Sequence, residues 1–498
     1  MTFPAAPLND GSFPHDGWRL EHTYAGLPAA LATAVAPTPV REPRLVLLNR
    51  SLARTLGLRP EAWTDAEAAA LFSGNRLPPG AQPIAQAYAG HQYGHFTVLG
   101  DGRAILLGEQ VTPSGERFDV QLKGAGPTPY SRRGDGRAAL GPMVREYILS
   151  EAMHALGIPT TRSLAVVATG EEVWRQEAQP GAVLTRIASS HLRVGTVEWA
   201  SARGDRDVLE RLVAYSLQRH YPDRTDCPNP ALALLDAVME RQASLVAEWM
   251  RVGFVHGVLN TDNVALSGET IDYGPCAFVD AYDPAAVFSS IDRHGRYAFG
   301  RQPAILGWNL TRLAEALLPL LHADIPQAVA VAEEHLERYE GRFEACWLAA
   351  FRRKLGLFTE EAGDAALVHR LLGWMEQGRR DYTNTFAALA KDDPRVAPVR
   401  EGVEEAFGSW RQAWVERLAR QPQSPEESLR LRQANCPAFI PRNHQVEAAL
   451  AAAEHGDLGV LHRLLDVLAT PYDHTRDAPA YQAPPQDGGV GYRTFCGT

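Results

Sequence analysis

The chain has 498 residues, of which 45% are hydrophobic and 22% charged, and its formal net charge at pH 7 is −10. This length exceeds what one typical hydrophobic core supports, so we expect two or more packed lobes of an ordinary globular kind. The acidic balance argues against general binding to nucleic acids or anionic membranes, although local basic clusters can still bind phosphates.

The cysteines indicate no structural cross-link or metal centre. They are widely spaced and include no C-x-x-C pair, which predicts neither a disulfide framework nor a zinc site. The N-terminal segment lacks the basic and apolar parts of a signal peptide, and no apolar stretch is long enough to cross a bilayer. We therefore expect a cytoplasmic protein. The cysteines are Cys227, Cys276, Cys346, Cys436 and Cys496.

The N-terminal part is loop-rich. Its first 40 residues are rich in Pro, Gly and Ala, which predicts a segment that wraps an edge rather than forming a core. A helical pattern follows from Ser51 to Leu58. His91 and His95 lie close together further on, but no carboxylate or cysteine within that stretch completes a metal site, so packed aromatics and glycine turns are the favoured interpretation.

Two strand signals follow, at residues 98–107 and 118–123. Gly100 and Gly102 flank a turn within the first signal. Backbone amides of such a turn can approach a phosphate, although an ordinary tight turn is the commoner explanation for two glycines. The second strand signal ends at Lys123.

Lys123 stands out because the chain uses arginine almost everywhere. Of 49 basic residues only Lys123, Lys354 and Lys391 are lysines. The position therefore reflects either chance or a site shaped for a compact ammonium group. A helix is predicted to start near Pro142 and to carry Glu146. A strand lysine followed by a helix glutamate is the order of the nucleotide-binding pair in protein kinases, and an exposed Glu146 is the alternative.

The middle of the chain changes from strands to helices. A glycine-rich, basic loop at 124–137 is irregular enough to hold a ligand. Strand signals at 163–168 and 182–187 complete an antiparallel sheet, and 188–195 forms a hinge-like crossing. Apolar residues then recur at helical spacing from 205 up to the next polar stretch.

That polar stretch follows the order of the kinase motifs H-x-D-x-x-x-x-N and D-F-G. His256 takes the histidine position, Asn263 the asparagine position and Asp272 the metal-binding aspartate position. Val258 stands where kinases have their catalytic Asp, and Asp262 is the carboxylate left in the loop. The pattern predicts a loop, a hairpin and a second loop, belonging to either an inactive kinase or a rewired one.

Together these signals predict an α+β, protein-kinase-like bilobal fold, with an antiparallel sheet plus helix in the N-lobe and a mostly helical C-lobe. A loop at 292–297 takes the place of an activation segment, and helical patterns dominate from Trp308 to about Leu468. The expected parts are an N-terminal extension at 1–80, an N-lobe with nucleotide-binding loops at 81–190, a C-lobe with catalytic and metal loops at 191–345, and a C-terminal helical region and tail at 346–498.

The longest motifs resemble those of the selenoprotein O family. Its members are kinase-fold proteins that were long treated as pseudokinases and act as protein adenylyltransferases. The matching motifs are long, and they span most of the chain in the family's order. They are residues 87–94 (AYAGHQYG), 122–131 (LKGAGPTPYS), 256–263 (HGVLNTDN), 272–275 (DYGP) and 442–447 (RNHQVE).

The resemblance implies a nucleotide site and a reaction. ATP would lie reversed relative to a kinase, so that AMP passes to a protein Ser, Thr or Tyr and pyrophosphate leaves; UMP transfer from UTP is also conceivable. Asp262 is implied as the base, with loop support as the alternative role, and Asn263 and Asp272 as ligands of Mg²⁺ or Mn²⁺. The implied ATP-binding residues are Gly100, Gly102, Arg103, Lys123, Asp135, Gly136, Arg186, Arg193 and Asp272.

The chemistry of the side chains is compatible with this assignment. Lys123, Arg186 and Arg193 can clamp a leaving pyrophosphate, with Glu146 orienting the lysine. Many relatives carry a reactive selenocysteine or cysteine near the C-terminus, and Cys496 occupies such a position here. The resemblance therefore makes redox control through a bond to the activation-like segment conceivable.

Two other function classes remain open at this point. Val258 motivates a catalytically inactive, nucleotide-binding pseudokinase scaffold. The His-Gly pair at 256–257 and the Asp-Tyr-Gly motif motivate a phosphotransferase that acts on a small molecule.

Overall fold

The computed structural model describes residues 16–391, 405–486, 489 and 491–494. The chain divides into two compact units. Unit 1 comprises the described residues up to Ala87, together with Leu99–Met143 and Arg162–His191. Unit 2 comprises Tyr88–Val98, Val144–Thr161 and the described residues from Leu192 onward. Both helices and antiparallel strands are present, so the predicted α+β class is confirmed.

The described strands fall into one large sheet and two small ones. Nine of them form the sheet of unit 1, and the other four form two antiparallel pairs in unit 2. The strands are β1 (Leu20–Glu21), β2 (Ala32–Ala34), β3 (Arg44–Leu48), β4 (Ile84–Gln86), β5 (Ala89–Gln92), β6 (His95–Val98), β7 (Ala104–Val111), β8 (Arg117–Lys123), β9 (Ala138–Ala139), β10 (Arg162–Trp174), β11 (Ala178–Ala188), β12 (Phe254–Val255) and β13 (Ala277–Phe278).

The described helices are concentrated in unit 2, as the sequence pattern predicts. They are α1 (Arg50–Thr55), α2 (Asp65–Phe72), α3 (Leu140–Ala155), α4 (Val194–Ala202), α5 (Arg206–His220), α6 (Pro230–Val252), α7 (Gln302–Leu321), α8 (Ile325–Leu336), α9 (Arg338–Leu355), α10 (Asp364–Gln377), α11 (Tyr382–Leu389), α12 (Glu405–Leu418), α13 (Pro425–Asn435), α14 (Asn443–Glu454), α15 (Gly459–Leu468) and α16 (Pro479–Gln482). None of these helices is long and apolar enough to cross a membrane.

Unit 1 is organised by its antiparallel sheet, whose strand order is β2-β4-β7-β8-β11-β10-β3, with β1 added beside β7 and β9 beside β11. Every residue of β7 is buried, so the sheet lies at the centre of the unit. The predicted strands at 118–123, 163–168 and 182–187 lie within β8, β10 and β11, and only 104–107 of the signal at 98–107 belongs to the sheet.

The N-terminal segment contributes more to unit 1 than its composition suggests. β2 lies at the edge of the sheet, as expected for a wrapping segment. Trp18 and Leu31, however, are buried, and Trp18 packs against Trp63 and Phe72. The expectation of a segment without core residues is therefore wrong for residues 16–40, because a few large apolar side chains are enough to anchor a Pro- and Gly-rich chain.

Helix α6 leads into the polar stretch of unit 2 and has clear local reasons to begin and end where it does. The side chain of Asn229 accepts a hydrogen bond from the backbone N–H of Leu232 (3.1 Å), and Pro230 fills the first helical position. Gly253 ends the helix in the left-handed conformation, with φ of 79°. The buried face of the helix includes Trp249.

The prediction of a hairpin between the two polar loops is wrong. The short strand β12 pairs with β13, beyond both loops. Residues 264–266 instead pair with 192–194, through Val194 N–H to the Val264 carbonyl and Leu266 N–H to the Leu192 carbonyl (both 2.9 Å). These partners are distant in sequence, and periodicity carries no information about which distant strand a segment joins.

We predict that Arg442→Ala destabilises unit 2 by about 3–5 kcal/mol, because removing one partner leaves buried charges uncompensated. The Arg442 guanidinium is 1% exposed and hydrogen-bonds to Asp280 (2.6 Å) and to Asp381 (2.6 and 3.0 Å). Urea unfolding followed by tryptophan fluorescence measures the shift in midpoint. Arg476→Ala breaks a pair whose Asp466 side chain is 73% exposed, so this matched control should cost less than about 1 kcal/mol; equal shifts would contradict the prediction.

Candidate active site

Asn263 lies in a single helical turn, Thr261–Asn263, at the start of the first polar loop of unit 2. Its side-chain Nδ2 donates to the carbonyl of Val258 (2.8 Å). This bond fixes the orientation of the amide and directs its Oδ1 away from the loop backbone. Oδ1 is buried and accepts no hydrogen bond from any described residue. A buried oxygen without a donor is costly, which marks the position as one that accepts a ligand.

Asp262 presents a second oxygen of this kind beside the first. Its Oδ1 is buried and has no hydrogen-bond partner among the described residues. Burial raises the pKa of the Asp262 carboxyl to about 6, against the lowering effect of Arg193 and with a further rise from the charge of Asp272. The backbone carbonyl of this residue accepts a hydrogen bond from Arg193 Nη1 (3.0 Å). The Gln92 side chain hydrogen-bonds to the carboxylate and acts to lower its pKa.

Asp272 is held in an unusual backbone conformation. Its φ is 70°, in the left-handed region that only Gly, Asn and Asp adopt readily. The preceding carbonyl of Ile271 contacts Nε2 of His256 at 2.9 Å, and the His256 backbone N–H donates to Gln302 Oε1 (2.9 Å). The His256 ring is buried, which lowers its pKa. His256 thus connects the two polar loops and positions Asp272, and it does so as a neutral imidazole.

A hairpin formed by β5 and β6 packs on the Asp262 loop. His91 N–H donates to Thr261 Oγ1 (2.7 Å), and Tyr93 N–H donates to Asn260 Oδ1 (3.1 Å). A Cβ atom placed on Gly90 would lie 2.5 Å from Asp262 Oδ1. Only glycine therefore fits at this position while the carboxylate stays where it is.

Further contacts hold the hairpin and the loop together. The His91 ring contacts the buried Glu198 through Nδ1 (2.5 Å) and packs edge-on to Trp308 with ring centroids 5.4 Å apart. The hydroxyl of Tyr297 donates to Asn260 Oδ1, the acceptor that also receives the hairpin amide. His91 therefore has a structural partner, in agreement with the packing interpretation, whereas His95 is exposed.

Arg193 lies beside the same loop because residues 192–194 pair with 264–266. Its guanidinium lies 4.4 Å from the ring centroid of Tyr88, a cation–π contact. The side chain is buried. Unit 2 consequently gathers five of the predicted or newly found site residues around one loop: Gly90, Arg193, Asp262, Asn263 and Asp272.

Unit 1 contains the predicted glycine turn. Gly100 has φ of 105°, and a Cβ atom there would lie 2.5 Å from the ring of Tyr130. The Ser131 hydroxyl donates to the Gly102 carbonyl, and the Thr128 hydroxyl donates to the Asp101 carbonyl (2.6 Å). The segment around Thr128–Ser131 therefore packs on the turn and stabilises it. Arg103 is the residue directly after the turn.

Lys123 and Arg186 lie on neighbouring strands of the sheet in unit 1. Lys123 ends β8 and is opposite Leu184 of β11, and Arg186 is opposite Gln121. Arg186 Nη1 contacts Gln121 Oε1 (3.5 Å), and Gln121 Nε2 donates to Asp101 Oδ2 (3.2 Å). Both basic side chains are buried, with 6% exposure for Lys123 and 3% for Arg186. Two buried basic side chains thus lie on adjacent strands of this sheet.

Asp135 and Gly136 lie in the glycine-rich loop of unit 1. Gly136 has φ of 66°, and a Cβ atom there would lie 2.1 Å from the Gly126 carbonyl, so the loop requires glycine. Asp135 is exposed and pairs with Arg175 through bonds of 2.9 and 3.2 Å. The net effect of the surroundings is to lower the pKa of Asp135. Partial burial acts to raise this pKa, but the hydrogen bonds to the carboxylate and the charge of Arg175 together have a larger, lowering effect. A nucleotide contact at Asp135 would compete with Arg175.

Glu146 lies in α3 and is buried. In the same helix, Arg145 bonds to Glu447 (3.0 Å) and to the Cys276 carbonyl (2.7 Å), which ties the segment after Asp272 to α14. Burial raises the pKa of the Cys276 thiol to about 12, so this residue is an unreactive thiol in the described conformation. Cys496 lies outside the described residues, and the other four cysteines are free thiols.

The side chains around the Asp262 loop fit a divalent cation. An amide oxygen fixed by its own N–H bond and neighbouring carboxylates form a set of oxygen donors, which Mg²⁺ and Mn²⁺ prefer. Among the described residues no cluster of three or more His, Cys, Asp or Glu side chains offers a closed metal site. Metal binding at Asn263 and Asp272 would therefore be completed by phosphate oxygens and water.

Three residues of this site were not predicted from the sequence: Gly90, Asn260 and Tyr297. Gly90 belongs to the long motif AYAGHQYG, which could have marked it as a candidate site residue. The motif does not indicate which part of the fold Gly90 contacts. Asn260 precedes the predicted base by two residues and could have been suspected as a loop anchor. Nothing in the local pattern around Tyr297 indicates its contact with Asn260.

Comparison with known proteins agrees with the resemblance seen in the sequence. A model of the family described as protein adenylyltransferase SelO matches residues 18–469. A protein nucleotidyltransferase YdiU of Bacillus mycoides is 54% identical over 483 residues, which cover 97% of this chain and 99% of that protein. The protein of the same name from Bacillus cytotoxicus is 56% identical over 483 residues, covering 97% and 98%.

The matched family and the named relatives define a single class, the protein nucleotidyltransferases. The match covers nearly the whole chain and includes both units. The chain belongs to the protein adenylyltransferase SelO family, and the resemblance inferred from its motifs is confirmed.

Proposed function

We propose that this enzyme transfers AMP from ATP to Ser, Thr or Tyr hydroxyls of proteins. Membership of the protein adenylyltransferase SelO family supports the reaction class. The acceptor oxygen attacks the α-phosphorus, the bond between the α-phosphorus and the bridging oxygen breaks, and pyrophosphate leaves. The proton of the acceptor hydroxyl passes to a base of the enzyme. We propose UTP as a second nucleotide to test, as a donor of UMP.

The observation that carries this proposal is a pair of buried oxygens, one on Asp262 and one on Asn263, that have no hydrogen-bond partner among the described residues. Asp262 uses its backbone carbonyl to hold the loop and leaves one carboxylate oxygen without a donor, which favours the role of base over that of loop support. Its raised pKa suits an acceptor of protons near neutral pH. Val258, which replaces the kinase Asp, contributes its carbonyl to orient Asn263.

The remaining roles follow from charge and geometry. We assign Asn263 and Asp272 to Mg²⁺ or Mn²⁺, which when bound would neutralise phosphate charge. Lys123, Arg186 and Arg193 are proposed to bind the phosphates that leave as pyrophosphate, with Glu146 orienting Lys123. Gly100, Gly102, Arg103, Asp135 and Gly136 complete the proposed ATP-binding residues.

We further propose that the α+β architecture is kinase-like, with the N-lobe at 81–190 and the C-lobe at 191–345. Three features support this: an antiparallel sheet in which strand β8 ends at Lys123, a later helix with Glu146, and a helical unit that carries the His256 and Asp272 loops. The order of these features along the chain is that of protein kinases.

Isotope position in ATP distinguishes the candidate functions. Purified enzyme is incubated with protein acceptors and with ATP labelled at the α- or the γ-phosphate, and both protein and small-molecule products are followed. Label in protein from the α-position alone is the expected result. Label from the γ-position would indicate a kinase, and absence of label in either product would indicate a nucleotide-binding scaffold.

We predict that Gly90→Ala lowers kcat for AMP transfer by about 10- to 100-fold, because a displacement near 1 Å at the reacting groups has effects of this size. The added methyl group would lie 2.5 Å from Asp262 Oδ1 and push the carboxylate aside. Steady-state kinetics measures kcat. Gly373→Ala is the control, since nothing lies within 4 Å of a Cβ atom there; a similar loss in both variants would contradict the prediction.

We predict that Lys123→Ala lowers AMP transfer about 100-fold, the effect expected on removing one charge partner of the transition state. Lys123→Arg should restore little of the activity, because the buried end of β8 has to accommodate a larger, planar group. Rates of α-label incorporation at saturating ATP measure both effects. Lys391 is exposed, so Lys391→Ala should retain wild-type activity; near-normal transfer by Lys123→Ala would refute the assignment.

A further inference from the structure

The hairpin beside the Asp262 loop has one packed strand and one open strand. In β5, Ala89 and Gly90 are buried against the loop. In β6, by contrast, Phe96 is 46% and Val98 is 50% exposed. The hairpin is a two-stranded sheet, and no other described strand pairs with the outer side of β6. The outer side of β6 is called the open edge below.

The backbone of β6 directs hydrogen-bonding groups toward this edge. The connecting residues Tyr93 and Gly94 both have positive φ, 51° and 90°, as in a type I′ turn. In such a two-residue hairpin the residues that close the turn exchange hydrogen bonds, and the next pair does not. His91 and Phe96 are that next pair. His91 accordingly donates its N–H outward, to Thr261 Oγ1, and the polar backbone groups of Phe96 point to the opposite side.

The same alternation applies to Val98, which is opposite Ala89. Two residues of β6 therefore offer N–H and C=O groups at the open edge, and their apolar side chains lie on one face of the hairpin. Exposed edges are usually protected by lysine, proline or a bulge. The sequence His-Phe-Thr-Val contains neither residue, and its register with β5 is regular. An unprotected, partly apolar edge fits a strand supplied by another polypeptide.

We propose that the open edge of β6 binds an extended segment of the protein substrate as a third strand of this hairpin. The inference rests on the proposed function, because an enzyme that modifies protein hydroxyls must hold a polypeptide at Asp262. β5 contacts Asp262 directly through Gly90, so the edge is continuous with the position of the acceptor. Backbone pairing also tolerates many sequences of the bound segment.

The spacing of strands sets where the acceptor lies relative to the bound segment. The added strand would lie two strand spacings, about 9.6 Å, from β5, which is the strand that contacts Asp262. An extended chain covers this distance in roughly three residues. The acceptor hydroxyl is therefore expected a few residues before or after the segment that pairs with β6.

Val98→Pro tests the proposal because proline removes the outward N–H, and edge positions of this kind tolerate proline. The probe is a synthetic peptide of alternating Val and Thr with a Tyr acceptor three residues beyond, and N-acetyl-tyrosinamide is the acceptor that cannot pair. Val98→Pro should raise KM for the peptide about tenfold, the equivalent of roughly one hydrogen bond. Val98→Ala, which keeps the N–H, should raise it less.

N-methylation of alternate peptide residues gives a second measurement that needs only the wild-type enzyme. It should also raise KM about tenfold, because the methyl group removes a peptide N–H from the pairing. Methylation of the residues in between, whose N–H groups point away from β6, should have little effect. A peptide KM that both changes leave unaltered would overturn the proposal.

Two further outcomes would also overturn it. If Val98→Pro reduced transfer to N-acetyl-tyrosinamide as much as transfer to the peptide, the hairpin would act on the catalytic loop alone. If the wild-type enzyme formed a dimer that Val98→Pro dissociates, the edge would bind a second copy of the chain. Failure of the wild-type enzyme to transfer AMP to any acceptor would instead refute the proposed function, so the two failures are distinguishable.

Discussion

An Asp262→Asn variant is expected to transfer AMP about 10²–10⁴-fold more slowly than the wild-type enzyme, the loss typical of removing a general base. The substitution keeps the size and shape of the side chain and leaves the backbone carbonyl free to accept its hydrogen bond from Arg193. It replaces only the carboxylate, whose Oδ1 has no hydrogen-bond partner among the described residues. The chemical step should therefore slow while the loop keeps its conformation.

The measurement compares kcat for α-label transfer with the affinity for ATP. A base contributes to kcat, so ATP affinity, measured by calorimetry, should change little. Asp226→Asn, at an exposed position of unit 2, serves as the matched control and should behave as wild type. Transfer by Asp262→Asn at a rate close to that of the control would show that Asp262 only supports the loop.

The elements that were predicted well are those that local signals determine. Helix α6 has Asn and Pro at its start and Gly at its end, and α13 has a capping box, in which Ser424 and Glu427 exchange hydrogen bonds with each other's backbone. Such contacts involve residues three or four positions apart and are visible in the sequence. The pairing of 264–266 with 192–194 joins residues about 70 positions apart and has no local signal.

The candidate site divides in the same way. Asp262, Asn263 and Asp272 were predicted because a known order of polar residues locates them in one stretch. Gly90 was not, since its role arises only when a hairpin about 170 residues earlier in the chain packs on Asp262. Likewise, Asn260 gains its role from amide and hydroxyl donors, those of Tyr93 and Tyr297, that belong to other segments. Sequence order indicated the groups proposed to react, and folding supplied the groups that position them.

Asp272→Ala is expected to lower AMP transfer by about 10²–10³-fold, because the proposed site loses a carboxylate that stabilises charge in the transition state. The substitution also strains the backbone, since Asp272 has φ of 70° and alanine is less stable in that conformation by about 1–2 kcal/mol. A loss of activity in this variant alone would not separate the carboxylate from the conformation of the loop.

Asp272→Gly separates them, because glycine adopts positive φ without strain. If the carboxylate is what matters, the Gly variant should be as inactive as the Ala variant while unfolding at a similar urea concentration to wild type. Asp272→Asn keeps an oxygen and tolerates the left-handed conformation, so it should retain more activity than Gly, most visibly at high Mn²⁺ concentration. Recovery of wild-type transfer by Asp272→Gly would show that Asp272 shapes the loop and does not take part in the reaction.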